Sequence, residues 1–132
     1  MSSAAQTIFN SIPDQDYLGI RPPGGDWDTG KVLDLLDFRK RDVAAAARVP
    51  LNSVRFDQQM PKLVKEHLEK WEVALQLVGK HFRGDAEKTA LWFKTPNYML
   101  GGIAPRDMIR FGRFKKLLEL IQSSLEENAP AS

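Results

Sequence analysis

The spacing of apolar residues predicts one long helix in the middle of the chain. From Pro61 to Phe82, apolar residues recur every three or four positions and therefore fall on one side of a helix. A proline opens this pattern and Gly84 follows its end, as is typical of helix boundaries. Further apolar residues lie outside this row of apolar residues, which we name the stripe. Either neighbouring helices cover them, which is the commoner explanation, or they form a homodimer surface. The stripe is Val64, Leu68, Trp71, Leu75, Val78 and Phe82, and the residues off it are Leu63, Val73, Ala74 and Leu77.

Shorter apolar patterns on both sides of this spine helix predict further helices, so we expect an all-α protein. Asp28 can cap a short helix that ends near Phe38, and Asp85 can cap another. A proline at position 105 suits the first turn of the next helix, and Gly112 is expected to turn the chain. The inward-facing residues of the last two helices are expected to be Met108, Ile109 and Phe111, then Phe114, Leu117, Leu118, Ile121 and Leu125.

The first 28 residues are predicted to form a loosely ordered arm. The start is polar, and the stretch from Arg21 to Gly25 contains two prolines and two glycines, which exclude a helix. In the alternative, apolar residues attach parts of the arm to the body of the protein. Those residues are Ile8, Phe9, Ile12, Tyr17, Leu18 and Trp27.

A helix-turn-helix spacing lies between Arg41 and Arg55. Small and apolar residues follow one another as two closely crossing helices require, with Val54 as the apolar anchor of the second helix. One departure is Arg48, which stands where glycine is usual and where a left-handed conformation costs about 1 kcal/mol. An ordinary helical hairpin is the alternative interpretation.

In the helix-turn-helix interpretation, Leu51 to Gln59 is the recognition helix. Its polar side chains have the chemistry that reads bases, since arginine pairs with guanine and asparagine or glutamine with adenine. A basic run before the unit would contact phosphates. Each of these residues is equally well explained as solvated surface. The candidate base-reading residues are Asn52, Ser53, Arg55, Gln58 and Gln59, and the candidate phosphate contacts are Arg39, Lys40 and Arg41.

A stiff loop follows the helix that ends at Trp92-Phe93. Thr95-Pro96 ends the helix, because the residue before a proline is disfavoured in the helical region. Gly101-Gly102 allows positive φ or a close approach of another chain. Near the tip lie Tyr98, Met99 and Leu100, and apolar residues in such a loop pack either onto the core or onto another molecule.

The order of residues in this loop resembles the C-terminal toxin-binding domain of the Xre/MbcA/ParS-type antitoxins. That family's pattern is approximately Trp, an apolar residue, two variable residues, Pro-Asn, two variable residues, Leu-Gly-Gly, two variable residues and Pro. The likeness extends from about Asp85 to Leu125, and the same family often carries a helix-turn-helix just upstream. The matching residues are Trp92, Phe93, Pro96, Asn97, Leu100, Gly101, Gly102 and Pro105.

The resemblance implies an antitoxin of a type II toxin-antitoxin system that blocks its partner sterically and binds DNA to regulate its own expression. The implied division is an arm (1–28), a helix-turn-helix-like region with the spine helix (29–83), a small helical toxin-binding domain (84–128) and a polar tail (129–132). The expected partners are a cognate toxin, operator DNA and a second copy of this chain within a hetero-oligomeric complex. Of the two expected classes of toxin, a RES-domain toxin, which consumes NAD, is preferred over an ADP-ribosyltransferase.

The residues implied to bind the toxin come from the loop and from the basic helix after it. For the basic residues, which continue through Lys115 and Lys116, a solvated face is the first explanation. An acidic partner and a phosphate contact are the others. The implied toxin-binding residues are Pro96, Asn97, Tyr98, Met99, Leu100, Gly101, Gly102, Arg106, Arg110 and Arg113.

Composition narrows the remaining function classes. With 132 residues, 42% apolar and 27% charged, the chain has the size and balance of one globular domain or two subdomains sharing a core. The absence of cysteine excludes disulfides, thiolate metal sites and cysteine nucleophiles. No apolar run has membrane-spanning length and no secretory pattern opens the chain, so we expect a cytoplasmic protein without a membrane partner. The net charge of +2 is too small to indicate nucleic-acid binding by itself.

Catalysis is not expected from this sequence. It contains neither a phosphate-binding loop nor a His-Glu-x-x-His motif, so no cofactor or metal is expected. His67 and His81 stand fourteen positions apart on the rigid spine helix, and we interpret both as structural. Two non-enzymatic alternatives to an antitoxin remain. One is a stand-alone helix-turn-helix regulator that dimerises through its C-terminal domain, and the other is an adaptor without a DNA role.

Overall fold

The computed structural model describes residues 15–21 and 28–127, with side chains up to residue 124. Over these ranges it contains six α-helices, two short 3-10 turns and no strand, which confirms the all-α prediction. Nothing in the described part is both long and apolar enough to serve as a membrane-spanning helix. The helices are α1 (Thr29–Leu36), α2 (Lys40–Ala47), α3 (Lys62–His81), α4 (Ala86–Lys94), α5 (Pro105–Arg110) and α6 (Phe114–Glu127), and the 3-10 turns are Leu51–Ser53 and Tyr98–Leu100.

Capping side chains begin α1 and α4 where the sequence predicts. The carboxylate of Asp28 accepts a hydrogen bond from the Lys31 backbone N–H at 3.1 Å, and Asp85 accepts one from Lys88 at 3.0 Å. Each of these bonds satisfies an N–H that has no partner within its own helix. At its other end α1 stops at Asp37, which takes a left-handed conformation with φ of 55°.

The spine helix α3 lies at the centre of the fold, in contact with α1, α2, α4 and α6. Five of its six predicted stripe residues are buried, and the sixth, Phe82, packs partly buried at its end. Off the stripe, Ala74 and Leu77 are also buried, whereas Leu63 is exposed. The buried residues of the N-terminal and C-terminal halves form one continuous core. α1 contacts α4 and α2 contacts α5, so the two halves are packed together.

Residues 15–21, which we name the strap, cover part of the second face of α3. Two polar side chains of α3, Gln76 and Glu72, are buried beneath it. Gln76 accepts a hydrogen bond from the Tyr17 backbone N–H at 3.0 Å and donates one to Asp16 at 2.7 Å. Arg21 forms an ion pair with Glu72 at 2.5 Å. These bonds offset part of the cost of removing Gln76 and Glu72 from water, and the Oε2 atom of Glu72 is buried without a hydrogen-bond partner among the described residues.

The strap also contributes apolar residues to the core. Leu18 is 4% exposed and Ile20 is fully buried. Leu18 lies directly over Gly79, where an added Cβ would stand 2.7 Å from the leucine Cγ. The prediction of a loosely ordered arm is therefore wrong for residues 15–21, and the alternative holds for Leu18, whereas Tyr17 is attached by its backbone N–H. The other apolar candidates of the arm, Ile8, Phe9, Ile12 and Trp27, lie outside the described residues, as do most of the stretch from Arg21 to Gly25 and the tail.

The predicted recognition helix over Leu51 to Gln59 is wrong. Only Leu51–Ser53 is helical, as one 3-10 turn, and an irregular segment follows it to Pro61. Local side-chain bonds replace the helix, because the Asp57 carboxylate accepts from the Gln59 backbone N–H at 2.9 Å. Val54 is buried, as its predicted role as an anchor requires. Arg48 takes the left-handed conformation expected of its position, with φ of 57°.

Where side chains are described, the last two helices follow the prediction with one exception, and the side chain of Leu125 lies outside that part. Met108 and Ile109 are buried, and Gly112 turns the chain with φ of 76°. Phe111, which was expected to pack inward, is exposed. It is the C-cap residue of α5, where the helical spacing that placed it on the inner face no longer applies. In α6, Leu117, Leu118 and Ile121 are buried and Phe114 is partly buried.

Candidate functional site

The loop after α4 is closed on itself by hydrogen bonds around Asn97. The Asn97 backbone N–H donates to the Ile103 carbonyl at 3.1 Å, and the Asn97 carbonyl accepts from the Leu100 and Gly102 N–H groups at 2.9 and 3.0 Å. Its side-chain oxygen accepts from the Met99 N–H at 2.9 Å. One residue thus makes four bonds within its own loop. We name residues 96–104 the Asn97 loop and conclude that its backbone is fixed before any partner arrives.

Both glycines of the loop have positive φ, 72° at Gly101 and 82° at Gly102. No atom of the described part of the chain lies within 4 Å of where a Cβ would stand at either one. The sequence suggested two reasons for glycine here, a positive φ or the close approach of another chain. Within this chain, positive φ is the reason that applies. The space beside both residues is open to another molecule.

The three apolar residues at the tip divide into two groups. Tyr98 is 86% exposed and Met99 is 59% exposed, so both are available to a partner. Leu100 is only 6% exposed and belongs to the hydrophobic core. The prediction that Leu100 contacts a partner is therefore wrong, because its burial anchors the loop. Pro96 is exposed, and the Asn97 side chain is occupied within the loop.

The aromatic pair before the loop also has two roles. Phe93 is fully buried, whereas Trp92 is only partly buried and packs against the core from outside. Their rings meet edge to face with centroids 5.0 Å apart. Phe93 is therefore the residue that fixes the end of α4 to the core.

The arginines of α5 link the two halves of the protein. Arg106 forms an ion pair with Asp37 at 3.0 Å. Arg110 forms one with Asp42 at 3.2 Å and a second with Asp107 at 3.1 Å. The third arginine of the predicted set, Arg113, is exposed. Arg106 and Arg110 therefore have partners within this chain, which the sequence did not reveal.

The predicted base-reading residues do not share a helix face. Asn52 and Ser53 lie in the 3-10 turn, and the others lie in the irregular segment beyond it. Arg55 is paired with Asp57 at 2.6 Å, with both side chains about half exposed. Gln58 and Gln59 are exposed. The chain has no helix here on which these side chains would reach neighbouring base pairs together.

Two basic groups that are far apart in sequence meet in one cleft. Its volume is about 380 Å³. Arg39 and Arg41 come from the candidate DNA contacts, and Arg106 and Arg110 from the candidate toxin contacts. Lys40, which lies between Arg39 and Arg41 in sequence, is exposed. The acidic residues of the cleft could not be predicted from the sequence, because nothing in their spacing indicates that α5 packs against them. The lining residues are Asp37, Phe38, Arg39, Arg41, Asp42, Ala45, Arg106 and Arg110.

The two histidines lie on α3 in different surroundings. His67 is partly buried, and burial together with the nearby Lys70 lowers the pKa of its imidazole. Its ring lies 6.1 Å from that of Trp71, measured between centroids. His81 is exposed next to Phe82. Neither imidazole is bonded to a carboxylate or a hydroxyl in the described part of the structure.

Comparison with models of known protein families, with curated proteins and with solved structures found no match to this chain. The likeness to the Xre/MbcA/ParS-type antitoxins therefore depends on the residues of the Asn97 loop and its flanking helices.

Proposed function

We propose that this protein is an antitoxin that binds a cognate toxin through the tip of the Asn97 loop. The observation that carries the proposal is the exposure of Tyr98 and Met99 on a loop that is closed by its own hydrogen bonds. A large apolar side chain held in water gains free energy when a partner covers it. Aromatic residues are also the type that most often dominates binding energy at protein interfaces.

Rigidity of the loop favours a binding role over a purely structural one. Ordering a flexible loop on binding costs free energy, and a loop that is already fixed avoids most of that cost. Here Leu100 anchors the loop in the core while the bonds of Asn97 hold its backbone. The two residues just before Leu100 are thereby presented outward in one defined position.

The proposed mechanism is steric and requires no chemistry by this chain. The loop tip and the last helices would cover the nucleotide pocket of the toxin and so exclude NAD. A RES-domain enzyme is the preferred candidate for this toxin, and an ADP-ribosyltransferase is the alternative. Of the predicted arginines, Arg113 is the one whose side chain is exposed and unpaired among the described residues. Arg106 and Arg110 would support the site by fixing α5 rather than by direct contact.

The alternative of a stand-alone helix-turn-helix regulator has less support. A recognition helix needs enough length to place several side chains in the major groove. Leu51–Ser53 is a single three-residue turn. We therefore place toxin binding ahead of DNA-binding autoregulation in the proposal.

Antitoxins of the family that this chain resembles are typically encoded beside their toxin. The proposal is therefore tested by co-expressing this chain with the product of the neighbouring gene and purifying the complex. The double variant Tyr98→Ala, Met99→Ala should lose the complex and fail to rescue growth. The control is Leu51→Ala, because Leu51 is 55% exposed and apolar but lies in the N-terminal half. Equal retention of the partner by the double variant and the control would refute the Asn97 loop as the binding surface.

A further inference from the structure

The arginine-lined cleft between α1, α2 and α5 has features that the antitoxin proposal does not use. Its walls carry four guanidinium groups and two carboxylates, and a third carboxylate, that of Asp107, pairs with Arg110 from outside the lining. Binding pockets for neutral organic ligands are mostly apolar. This cleft has charged walls, and the only large apolar lining residue, Phe38, is buried beneath them.

The four arginines differ in how they are held. Arg106 and Arg110 are fixed on one wall by their ion pairs with Asp37 and Asp42. The side chains of Arg39 and Arg41 are exposed, and neither guanidinium group makes a hydrogen bond or ion pair to a described residue. One wall is therefore preorganised, and the other carries two donors that are free to close on a ligand.

We infer that this cleft binds the phosphate group of a small phosphomonoester. A phosphomonoester carries a charge of about −1.5 to −2 at neutral pH, which the unpaired guanidinium groups of Arg39 and Arg41 complement. The guanidinium group donates two parallel hydrogen bonds in the geometry that phosphate oxygens accept.

The carboxylates of the cleft favour a small ligand over a nucleic-acid backbone. Asp37 is well exposed at the cleft, with a side chain 67% accessible. A duplex follows a surface with a continuous row of phosphates, and an exposed carboxylate within that row repels it. A small ligand has one phosphate to place and does not extend a row of charges past Asp37. The inference does not depend on the antitoxin proposal, since the Asn97 loop contributes no residue to the cleft.

The test uses three related probes, 5′-AMP, 3′,5′-cyclic AMP and adenosine, in calorimetric titrations of the full chain at constant ionic strength. These probes share a base and a ribose but carry a monoester, a diester and no phosphate. The expected order of affinity is 5′-AMP, then cyclic AMP, with no binding of adenosine. Equal binding of adenosine and 5′-AMP, or no binding of 5′-AMP at millimolar concentration, would overturn the inference.

The double variant Arg39→Ala, Arg41→Ala should weaken 5′-AMP binding by about tenfold or more, the usual effect of losing a hydrogen bond to a charged group. Because neither side chain has a partner in the described structure, the fold should persist in a thermal unfolding scan. The control is Lys115→Ala, Lys116→Ala, which removes the same charge from an exposed part of α6 outside the cleft. An equal loss of binding in this control would show only general charge attraction and would refute the site.

A second variant tests the inference in the opposite direction. Asp37→Asn removes a negative charge from the cleft, while the asparagine oxygen and the backbone carbonyl of position 37 can still accept hydrogen bonds from Arg106. Since asparagine also tolerates the left-handed conformation of this position, the variant should tighten 5′-AMP binding. Weaker binding by this variant would contradict the inference.

A random DNA duplex provides the last comparison. If the duplex binds through Arg39 and Arg41 while 5′-AMP does not bind, the cleft is a nucleic-acid contact and the inference fails.

Discussion

The contact between Gly79 and Leu18 predicts a measurable energetic coupling between α3 and the strap. A Cβ added at Gly79 would stand 2.7, 2.9 and 3.0 Å from the Cγ, Cδ2 and Cδ1 atoms of Leu18. All three are the atoms that Leu18→Ala removes. The two substitutions should therefore be unfavourable separately and compatible together.

The expected magnitudes follow from three effects. Replacing glycine by alanine inside a helix stabilises it by about 1 kcal/mol, whereas overpacking a filled site costs about 1–3 kcal/mol. Gly79→Ala alone should therefore lower the free energy of unfolding by up to about 2 kcal/mol. Leu18→Ala should lower it by about 2–5 kcal/mol, the usual range for a buried leucine. In the Leu18→Ala background, Gly79→Ala should stabilise the protein by about 1 kcal/mol.

The assay is urea unfolding of the four proteins of this double-mutant cycle, followed by circular dichroism. We expect a coupling energy of about 1–3 kcal/mol between the two positions. Independent sites add to within about 0.5 kcal/mol. Additivity at that level would mean that the strap does not rest on Gly79 in solution, and the contact described above would be refuted.

Three further predictions concern the loop and two titrating groups. Gly102→Val should lower the free energy of unfolding by about 1–3 kcal/mol because Gly102 has positive φ, and Gly102→Asn should lower it less. Equal free energies of unfolding for the valine and asparagine variants would contradict this prediction. Since burial, with a contribution from Lys70, lowers the pKa of His67, the unfolded chain takes up its proton first as the pH falls. The free energy of unfolding should therefore decrease from about pH 7 towards the lowered pKa, and His67→Gln should lack this decrease in urea titrations. Burial raises the pKa of Asp16, but hydrogen bonds from Gln76 and from backbone N–H groups lower it more, so its net pKa lies below the ordinary value. Its contribution should be present above about pH 4 and lost as the pH falls through the folded pKa, and an Asp16→Asn variant with the parent's acid sensitivity would contradict this assignment.

The local features of this fold could be predicted because they depend on neighbouring residues. The stripe on α3, the caps at Asp28 and Asp85, and the turn at Gly112 all follow from spacing and residue type. The wrong prediction of a second helix in the helix-turn-helix also has a local cause. Ten residues separate Pro50 from Pro61, and the Asp57 side chain bonds to the backbone within them, which competes with helix formation.

The features that the sequence did not reveal depend on contacts between distant residues. The strap meets α3 across separations of 51 to 60 positions. The ion pair between Arg106 and Asp37 spans 69 positions. Periodicity within one helix carries no information on such pairs. One feature of the sequence could have indicated that a further segment covers α3. Glu72 and Gln76 are polar residues four positions apart, just before Gly79, on a helix that is apolar over two faces.

The long separation between the strap and α3 has a consequence for the order of folding. Contacts between distant residues require closure of a long loop, and the entropy of that closure disfavours them early in folding. Helices α1, α2 and α4 can pack on α3 through contacts nearer in sequence, so we expect the strap to dock after the rate-limiting step. Substitutions such as Leu18→Ala should then accelerate unfolding and leave the refolding rate nearly unchanged. On the ribosome, the strap emerges before the helix that receives it, and its apolar residues remain exposed until α3 has been synthesised.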